Sequence, residues 1–346
     1  MPQPLEPILS ETAMSTPALK GTPAMRFEQV VELARKDMAG VDRIIRTELR
    51  SDVVLINQIA NHIVSSGGKR LRPMLVLLAS RACHCSGNQH QRLAAVIEFI
   101  HTATLLHDDV VDESDLRRGQ ASANALWGNP VAVLSGDFLY SRAFQMMVSI
   151  NRMAVQRILA DTTNRIAEGE VLQLMAQHNP DVGVEQYMTV IGAKTASLFA
   201  AAAELGAVIT DQDESIHNAL RQYGHNMGLA FQITDDVLDY DSTAGKLGKN
   251  VGDDLAEGKP TLPVIHAMAA GSMEQQSLIR SALQTGDSSR LAEIIQIMHR
   301  TDSLRSCMQV VHEATEKAIA HARTLPATPY RDALIALAHY AGERRY

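Results

Sequence analysis

Two aspartate triplets carry most of the chemistry this chain could perform: Asp108, Asp109 and Asp112 in LLHDDVVDESDLRRG, and Asp235, Asp236 and Asp239 in FQITDDVLDYD. Each reads DDxxD. On a helix the first and last carboxylates of such a run lie one turn apart on one face, with the middle one beside them. Like charges at that spacing oppose helix formation by roughly 0.2–0.5 kcal/mol per pair. Yet both triplets close strongly apolar stretches, AAVIEFIHTATLLH and MGLAFQIT, that read as buried helix. A solvated acidic face would account for one triplet; two, each behind an apolar run, call for a counter-ion. Magnesium suits the sites, because it takes oxygen ligands and is usually held by one or two carboxylates together with substrate phosphates. The partner on this reading is a phosphate.

Basic residues fall where a phosphate site needs them. GGKRLRP supplies Gly67, Gly68, Lys69, Arg70, Arg72 and Pro73, a small-residue turn with cations at its exit. Backbone can approach an anion closely at glycine, and a guanidinium binds phosphate oxygens through two donors. Arg117 and Arg118 follow the first triplet, and Lys194 with Thr195 lies in IGAKTASLF. Gln232 precedes Asp235 by one turn, Lys249 lies in LGKNVGDD and Lys259 in EGKPTLP. Any one basic run is ordinarily a solvated surface. Together with two acidic sites, they suit two diphosphates, one held through metal and one held directly by Arg and Lys.

In order and wording, GGKRLRP, HDDVVDESDLRRG, the GAKT segment, FQITDDVLD and GKNVGDDLAEGKPTLP resemble the trans-polyprenyl diphosphate synthases of the isoprenoid synthase family, over about residues 26–346. Within that family the chain is most similar to bacterial enzymes that build octaprenyl chains for the ubiquinone side chain. The resemblance implies an all-α isoprenoid synthase fold, a helical bundle around a central cavity. It implies a prenyltransferase that joins an allylic diphosphate, farnesyl diphosphate by preference, to successive isopentenyl diphosphates. Asp108, Asp112 and Asp235 would hold magnesium, three ions per active site with substrate bound, and Asp109 and Asp236 would belong to the same catalytic set. Arg117, Lys194, Thr195, Gln232, Lys249 and Lys259 would contact the allylic diphosphate; Lys69, Arg72, His101 and Arg118 would contact isopentenyl diphosphate. No side chain need be a covalent nucleophile, and the released diphosphate would serve as base. A homodimer is implied by the resemblance alone.

The elements that must position these groups read as helices. Long stretches rich in Ala, Leu, Ile, Met and Glu, only 4% aromatic residues and no alternating β-branched runs point to an all-α protein. Apolar residues at three- and four-residue spacing predict helices over 27–50, 92–113, 130–149, 152–177, 184–209, 215–240 and 305–323. Breaks are expected at Gly67-Gly68, Gly128-Asn129-Pro130, Asn179-Pro180, Gly245 to Lys259 and Pro326 to Pro329. A length of 346 residues allows two domains, but no Pro/Gly/Ser-rich linker interrupts 26–346, so one catalytic domain is the simpler reading. Residues 1–25, rich in Pro, Thr and Ser, are expected to be a disordered extension, and Met14 or Met25 could serve as start.

A net charge of −7 argues against a nucleic-acid binder. No membrane-length apolar run or signal-peptide pattern stands out, so a cytoplasmic protein without an integral membrane segment is expected. Cys83, Cys85 and Cys307 form no disulfide framework, and Cys83-His84-Cys85 lacks a second ligand pair for zinc.

Chain length is where the reading is finer. The growing tail should run beside the first aspartate helix, so bulk one turn before Asp108 would stop it early. Ala103 and Thr104 stand there, where short-chain relatives often carry aromatic residues, and this favours a long product. The tunnel floor is sought in the helix bearing Phe144, Met146 and Met147, and in Leu159 beyond it, although Met and Leu are core residues by default. His101, two turns before Asp108, suits a phosphate contact, whereas His107 more simply orients the triplet or packs. The alternatives are another product length (geranylgeranyl, heptaprenyl, nonaprenyl or solanesyl), a terpene cyclase or magnesium phosphohydrolase, and a regulatory subunit without catalysis. Two intact triplets and a separate second diphosphate site favour condensation.

Overall fold

The computed structural model describes residues 25–65, 68–117, 119–241 and 251–343. Helix dominates, as the spacing of apolar residues predicts. The helices that form most of the bundle are α1 (Phe27–Glu48), α2 (Val54–Ser65), α3 (Leu71–Ala82), α4 (Gln89–Val111), α5 (Ala123–Trp127), α6 (Asn129–Ser149), α7 (Met153–Ala176), α8 (Val184–Ile191), α9 (Ser197–Val208) and α10 (Glu214–Leu238). After them come α11 (Asp253–Ala256), α12 (Leu262–Ala270), α13 (Met273–Thr285), α14 (Leu291–Arg300), α15 (Ser303–Ala322) and α16 (Pro329–Gly342). A two-stranded hairpin, β1 (Leu116–Arg117) against β2 (Gln120–Ala121), is the one sheet among the described residues.

Local signals set the boundaries. Asp213 opens α10 by accepting from the Ile216 N–H, and Thr328 opens α16 by accepting from Arg331, with Pro329 in the first turn where no N–H is missed. Gly128, at φ 84°, separates α5 from α6. The alanine-rich α9 is buried on almost every side, and its small side chains let α10 come close. A Cβ at Gly224 would lie 2.3 Å from the Phe199 carbonyl oxygen. The run Val184–Val208 is long and apolar enough to cross a membrane, but 89% of its apolar window is buried inside the protein, which makes it a core helix.

Apolar side chains gather in two adjoining clusters. One is built chiefly from α1, α3, α4, α6, α7, α9 and α16, the other chiefly from α8, α12, α13 and α14; α10 and α15 contribute to both. Between α1, α3 and α4 lies a polar anchor. Asp37 accepts from Arg81 Nε at 2.7 Å, Arg81 Nη2 at 2.8 Å and Gln91 Nε2 at 2.9 Å. Burial opposes its charge, but these donors and His90 outweigh burial and hold the carboxyl well below its ordinary range. A depressed carboxylate contributes stability that is present above the unfolded value and lost as pH falls. Asp37→Ala should therefore cost about 3 kcal/mol at neutral pH, with the deficit shrinking below about pH 4. Urea unfolding across that range measures both.

Candidate active site

The first triplet ends α4. The Asp112 N–H donates to the Asp108 carbonyl at 2.8 Å, and Glu113, in left-handed backbone at φ 52°, turns the chain into the hairpin. The hairpin returns Arg117 onto Asp109, whose Oδ1 accepts from Arg117 Nε at 2.7 Å and also from Nη2. Asp109 is only 3% exposed, so the middle aspartate anchors the loop rather than facing the site. Arg117, expected to contact a diphosphate, is bonded to Asp109. Asp108 and Asp112 face lysines instead: Lys194 Nζ lies 3.8 Å from Asp108 Oδ2, and Lys259 Nζ 3.2 Å from Asp112 Oδ2. Burial pushes the Asp108 carboxyl above its ordinary range; Asp112 adds to the shift and Lys194 opposes it.

The second triplet ends α10 with the same division of labour. Asp236 is buried and accepts from the Tyr187 hydroxyl and from Gln232 Nε2 at 2.8 Å, while Gln232 Oε1 accepts from Thr195 Oγ1 at 2.8 Å. Burial lifts Asp236 to about 7, and the two donors hold it down. In both triplets the residue one step from the first is rotated by about 100°, which takes it off the common face and into protein. Asp239 caps the helix end and accepts from the Asp254 N–H at 3.2 Å, and Asp254 in turn accepts through its carbonyl from the Lys259 N–H at 2.8 Å. Burial works against the Lys259 charge, but Asp112, Asp254 and Glu257 outweigh it and hold its pKa above the ordinary lysine value. Lys259 thus ties the two triplets into one site.

Lys194 sits in a π-helical turn, Gly192–Ala196, between α8 and α9. Such turns widen the backbone and recur at functional sites. Its Nζ lies 2.6 Å from Glu170 on α7. Directly behind, a Cβ on Gly169 would come within 2.6 Å of the Lys194 backbone nitrogen, so glycine is what lets α7 reach the turn.

A second basic site lies on an aromatic floor. Arg72, in the first turn of α3, has Nη1 3.0 Å from His101 Nε2 on α4, and its guanidinium stands 4.4 Å from the Phe199 ring centre and 5.9 Å from that of Phe231. Lys69 Nζ lies 5.1 Å over Tyr340, which stacks on Phe27. Both cations are held on ring faces. His101 precedes Asp108 by seven residues, about 10 Å along the helix, so the two sites are neighbours without merging.

Other expected positions divide. Ala103 is fully buried, and Thr104, half-buried, donates to the His101 carbonyl. Met147 and Leu159 lie in the same apolar cluster as Ala103, with Met146. Phe144 does not belong there: it is 40% exposed on the outer face of α6. His107 turns away from the site, with Nε2 3.3 Å from the Val133 carbonyl and 3.3 Å from Asp137. Arg118, Lys249, Gly67 and residues 1–24 lie outside the described residues. Sequence reasoning missed Glu170, Tyr187 and Asp254, since a lone acid on an amphipathic helix and a lone buried tyrosine read as surface and core.

An all-α bundle with two acidic helix ends bridged by lysine, beside a separate Arg–His site on aromatic rings, is the architecture of an isoprenoid synthase. The chain belongs to the polyprenyl synthetase family, whose sequence profile matches residues 53–301, and its enzyme class is that of the prenyltransferases. It is 52% identical over 321 residues to the octaprenyl diphosphate synthase of Escherichia coli K12, covering 92% of this chain and 99% of that one. It is 46% identical over 323 residues to the geranyl-diphosphate-specific all-trans-nonaprenyl-diphosphate synthase of Rhodobacter capsulatus, covering 93% and 99%. A crystal structure of a polyprenyl synthase from Caulobacter crescentus CB15, complexed with calcium and isoprenyl diphosphate, superposes with a TM-score of 0.90 at 43% identity, covering 94% of this chain and all of that one.

Proposed function

We propose that this chain is a long-chain trans-polyprenyl diphosphate synthase that extends farnesyl diphosphate with isopentenyl diphosphate to the forty-carbon octaprenyl length, for use as a quinone side chain. The observation that carries the reading is the pair of adjoining sites: two acidic helix ends sharing Lys259, and Arg72 with His101 on an aromatic floor. Two diphosphates can be held at once, which condensation needs and cyclisation or hydrolysis does not.

The donor set fits magnesium. Asp108, Asp112 and Asp235 offer hard carboxylate oxygens at two helix ends, and the burial that disfavours the Asp108 charge is a cost a bound cation would remove. Among the described residues no three acidic, histidine or cysteine side chains are grouped to hold an ion alone. Magnesium needs only one or two carboxylates from the protein and fills its shell with water and phosphate. When bound, magnesium neutralises the departing diphosphate.

The chain's own residues do the rest. Lys194 and Lys259, now paired with Asp108 and Asp112, would turn to the allylic diphosphate oxygens beside Thr195, Gln232 and Arg117, with Lys249 in the same role. Lys69, Arg72 and His101, together with Arg118, would hold isopentenyl diphosphate directly. The apolar wall around Ala103 would exclude water while the isopentenyl double bond attacks the allylic cation, and a proton lost to the released diphosphate completes each extension. Electrostatics and positioning supply the rate. Residues 26–346 would act as one catalytic domain in a cytoplasmic homodimer, and residues 1–25 would be dispensable for activity. Purified protein given farnesyl diphosphate and labelled isopentenyl diphosphate should incorporate label with magnesium and cease with a chelator; incorporation indifferent to the chelator would contradict the assignment.

Met147 and Leu159 are the floor of the tail cavity on this reading. Met147→Ala or Leu159→Ala should shift the product to chains longer by at least one isoprene unit, read by mass spectrometry. An active variant with an unchanged product distribution removes that residue from the floor.

A further inference from the structure

The Cys83-His84-Cys85 run, which the condensation reading leaves unused, holds a second chemical constellation. At the end of α3 the chain turns sharply. His84 adopts left-handed backbone at φ 60°, and the Cys85 N–H reaches back to the Ser80 carbonyl at 3.0 Å. This turn presents the half-buried Cys85 thiol, with Sγ 3.6 Å from His90 Nδ1 in the first turn of α4. His90 is fully buried, and its other ring nitrogen, Nε2, lies 3.1 Å from Asp37 Oδ1 on α1. Arg81 holds Asp37 through two donors and also donates Nη1 to the Cys85 carbonyl at 2.6 Å.

The order thiol, imidazole, carboxylate is that of an activated nucleophile: one ring nitrogen faces the S–H, while the other lies at ion-pair distance from a carboxylate, without hydrogen-bond geometry to it, that would favour the imidazole carrying the proton. A merely packed histidine needs no thiol on its outer nitrogen. Arg81 on α3, Cys83 at its end and, beyond Arg81, Tyr330 on α16 are the other titratable groups near the thiol, and burial opposes a charge on His90 while Asp37 favours it. Cys83 and Cys307 are 3% and 0% exposed and lack such a partner set, so they serve as internal controls. His90 precedes Asp108 by 18 residues on α4, about 27 Å along the axis, which separates this cluster from the diphosphate sites.

We propose that Cys85, His90 and Asp37 form a reactive-thiol site that undergoes thiol–disulfide exchange with low-molecular-weight disulfides of the glutathione class. The Cys85 proton passes to His90 Nδ1, and the sulfur attacks one sulfur of the disulfide. The S–S bond breaks, and the departing thiolate recovers the proton from His90. The products are a mixed disulfide on Cys85 and one free thiol, with no net oxidation.

The test uses the full chain and oxidised glutathione, with peptide mass mapping over pH 6–9 and an unstructured cysteine peptide as reference. Cys85 should be modified at least about tenfold faster than the reference at pH 7, while Cys83 and Cys307 stay unmodified. His90→Gln should bring Cys85 down to the reference rate and restore the pH dependence of a simple thiol. Cys85→Ser should keep prenyltransferase activity and take up no glutathione. Modification no faster than the reference, or a rate unchanged in a folded His90→Gln, overturns the proposal. If His90→Gln does not fold, the wild-type rate against the reference peptide decides alone.

Discussion

Asp108→Ala should lower the condensation rate by about 10³-fold or more without unfolding the protein, because electrostatic stabilisation of a departing diphosphate is the largest single contribution available to this site. The Asp108 side chain is 15% exposed and lies opposite Lys194. Its carboxyl is pushed upward by burial first and by Asp112 second. An acid with a raised folded pKa binds its proton more tightly in the native state, so stability falls as pH rises from the unfolded to the folded value. Removing that carboxyl lifts the cost, and the variant should be as stable as wild type or more so at neutral pH. Burial raises the Asp109 carboxyl as well, but Asp109 is bonded to Arg117, so Asp109→Ala should differ. It leaves the Arg117 guanidinium without its buried partner and should lose stability along with activity. Steady-state kinetics paired with thermal unfolding separates the two aspartates, and equal stability losses in both would contradict the division of roles within DDxxD.

Arg72→Ala should raise the KM for isopentenyl diphosphate by roughly 100-fold while leaving the KM for the allylic substrate nearly unchanged. The guanidinium is fixed between His101 and the Phe199 ring before substrate arrives, so little ordering is left to do on binding. Arg72→Lys keeps the charge but loses the planar fork and the stacking, and should recover only part of the loss. A parallel rise in both KM values would mean that the two basic groups serve one substrate site, not two.

Much of this was legible in residue order. The helices bearing the chemistry fall within a few residues of their expected limits, because Ala, Leu and Met at three- and four-residue spacing leave few alternatives; α4 was expected over 92–113 and runs Gln89–Val111. Lys194, Thr195, Gln232 and Lys259 lie by the aspartate helices, and Arg72 meets His101 apart from them. The inward turn of Asp109 and Asp236 was not foreseen. Spacing shows which residues share a face, but what fills the flank depends on Arg117 and Tyr187, which tertiary packing delivers. Glu170 was missed for a related reason: in AEGEVLQL it resembles any solvated helix acid, and only the π turn at Lys194 gives it a partner. Phe144 lies on the outer face because it is one helical step, about 100°, from Ala143, which shares the inner face of α6 with Met147 four residues on.

The most direct test of the central claim is the length of the product. With magnesium, farnesyl diphosphate and labelled isopentenyl diphosphate, mass spectrometry should find a forty-carbon diphosphate as the dominant species, absent from the Asp108→Ala control. Folded protein that incorporates no label, or a dominant product of another length, would contradict the octaprenyl assignment.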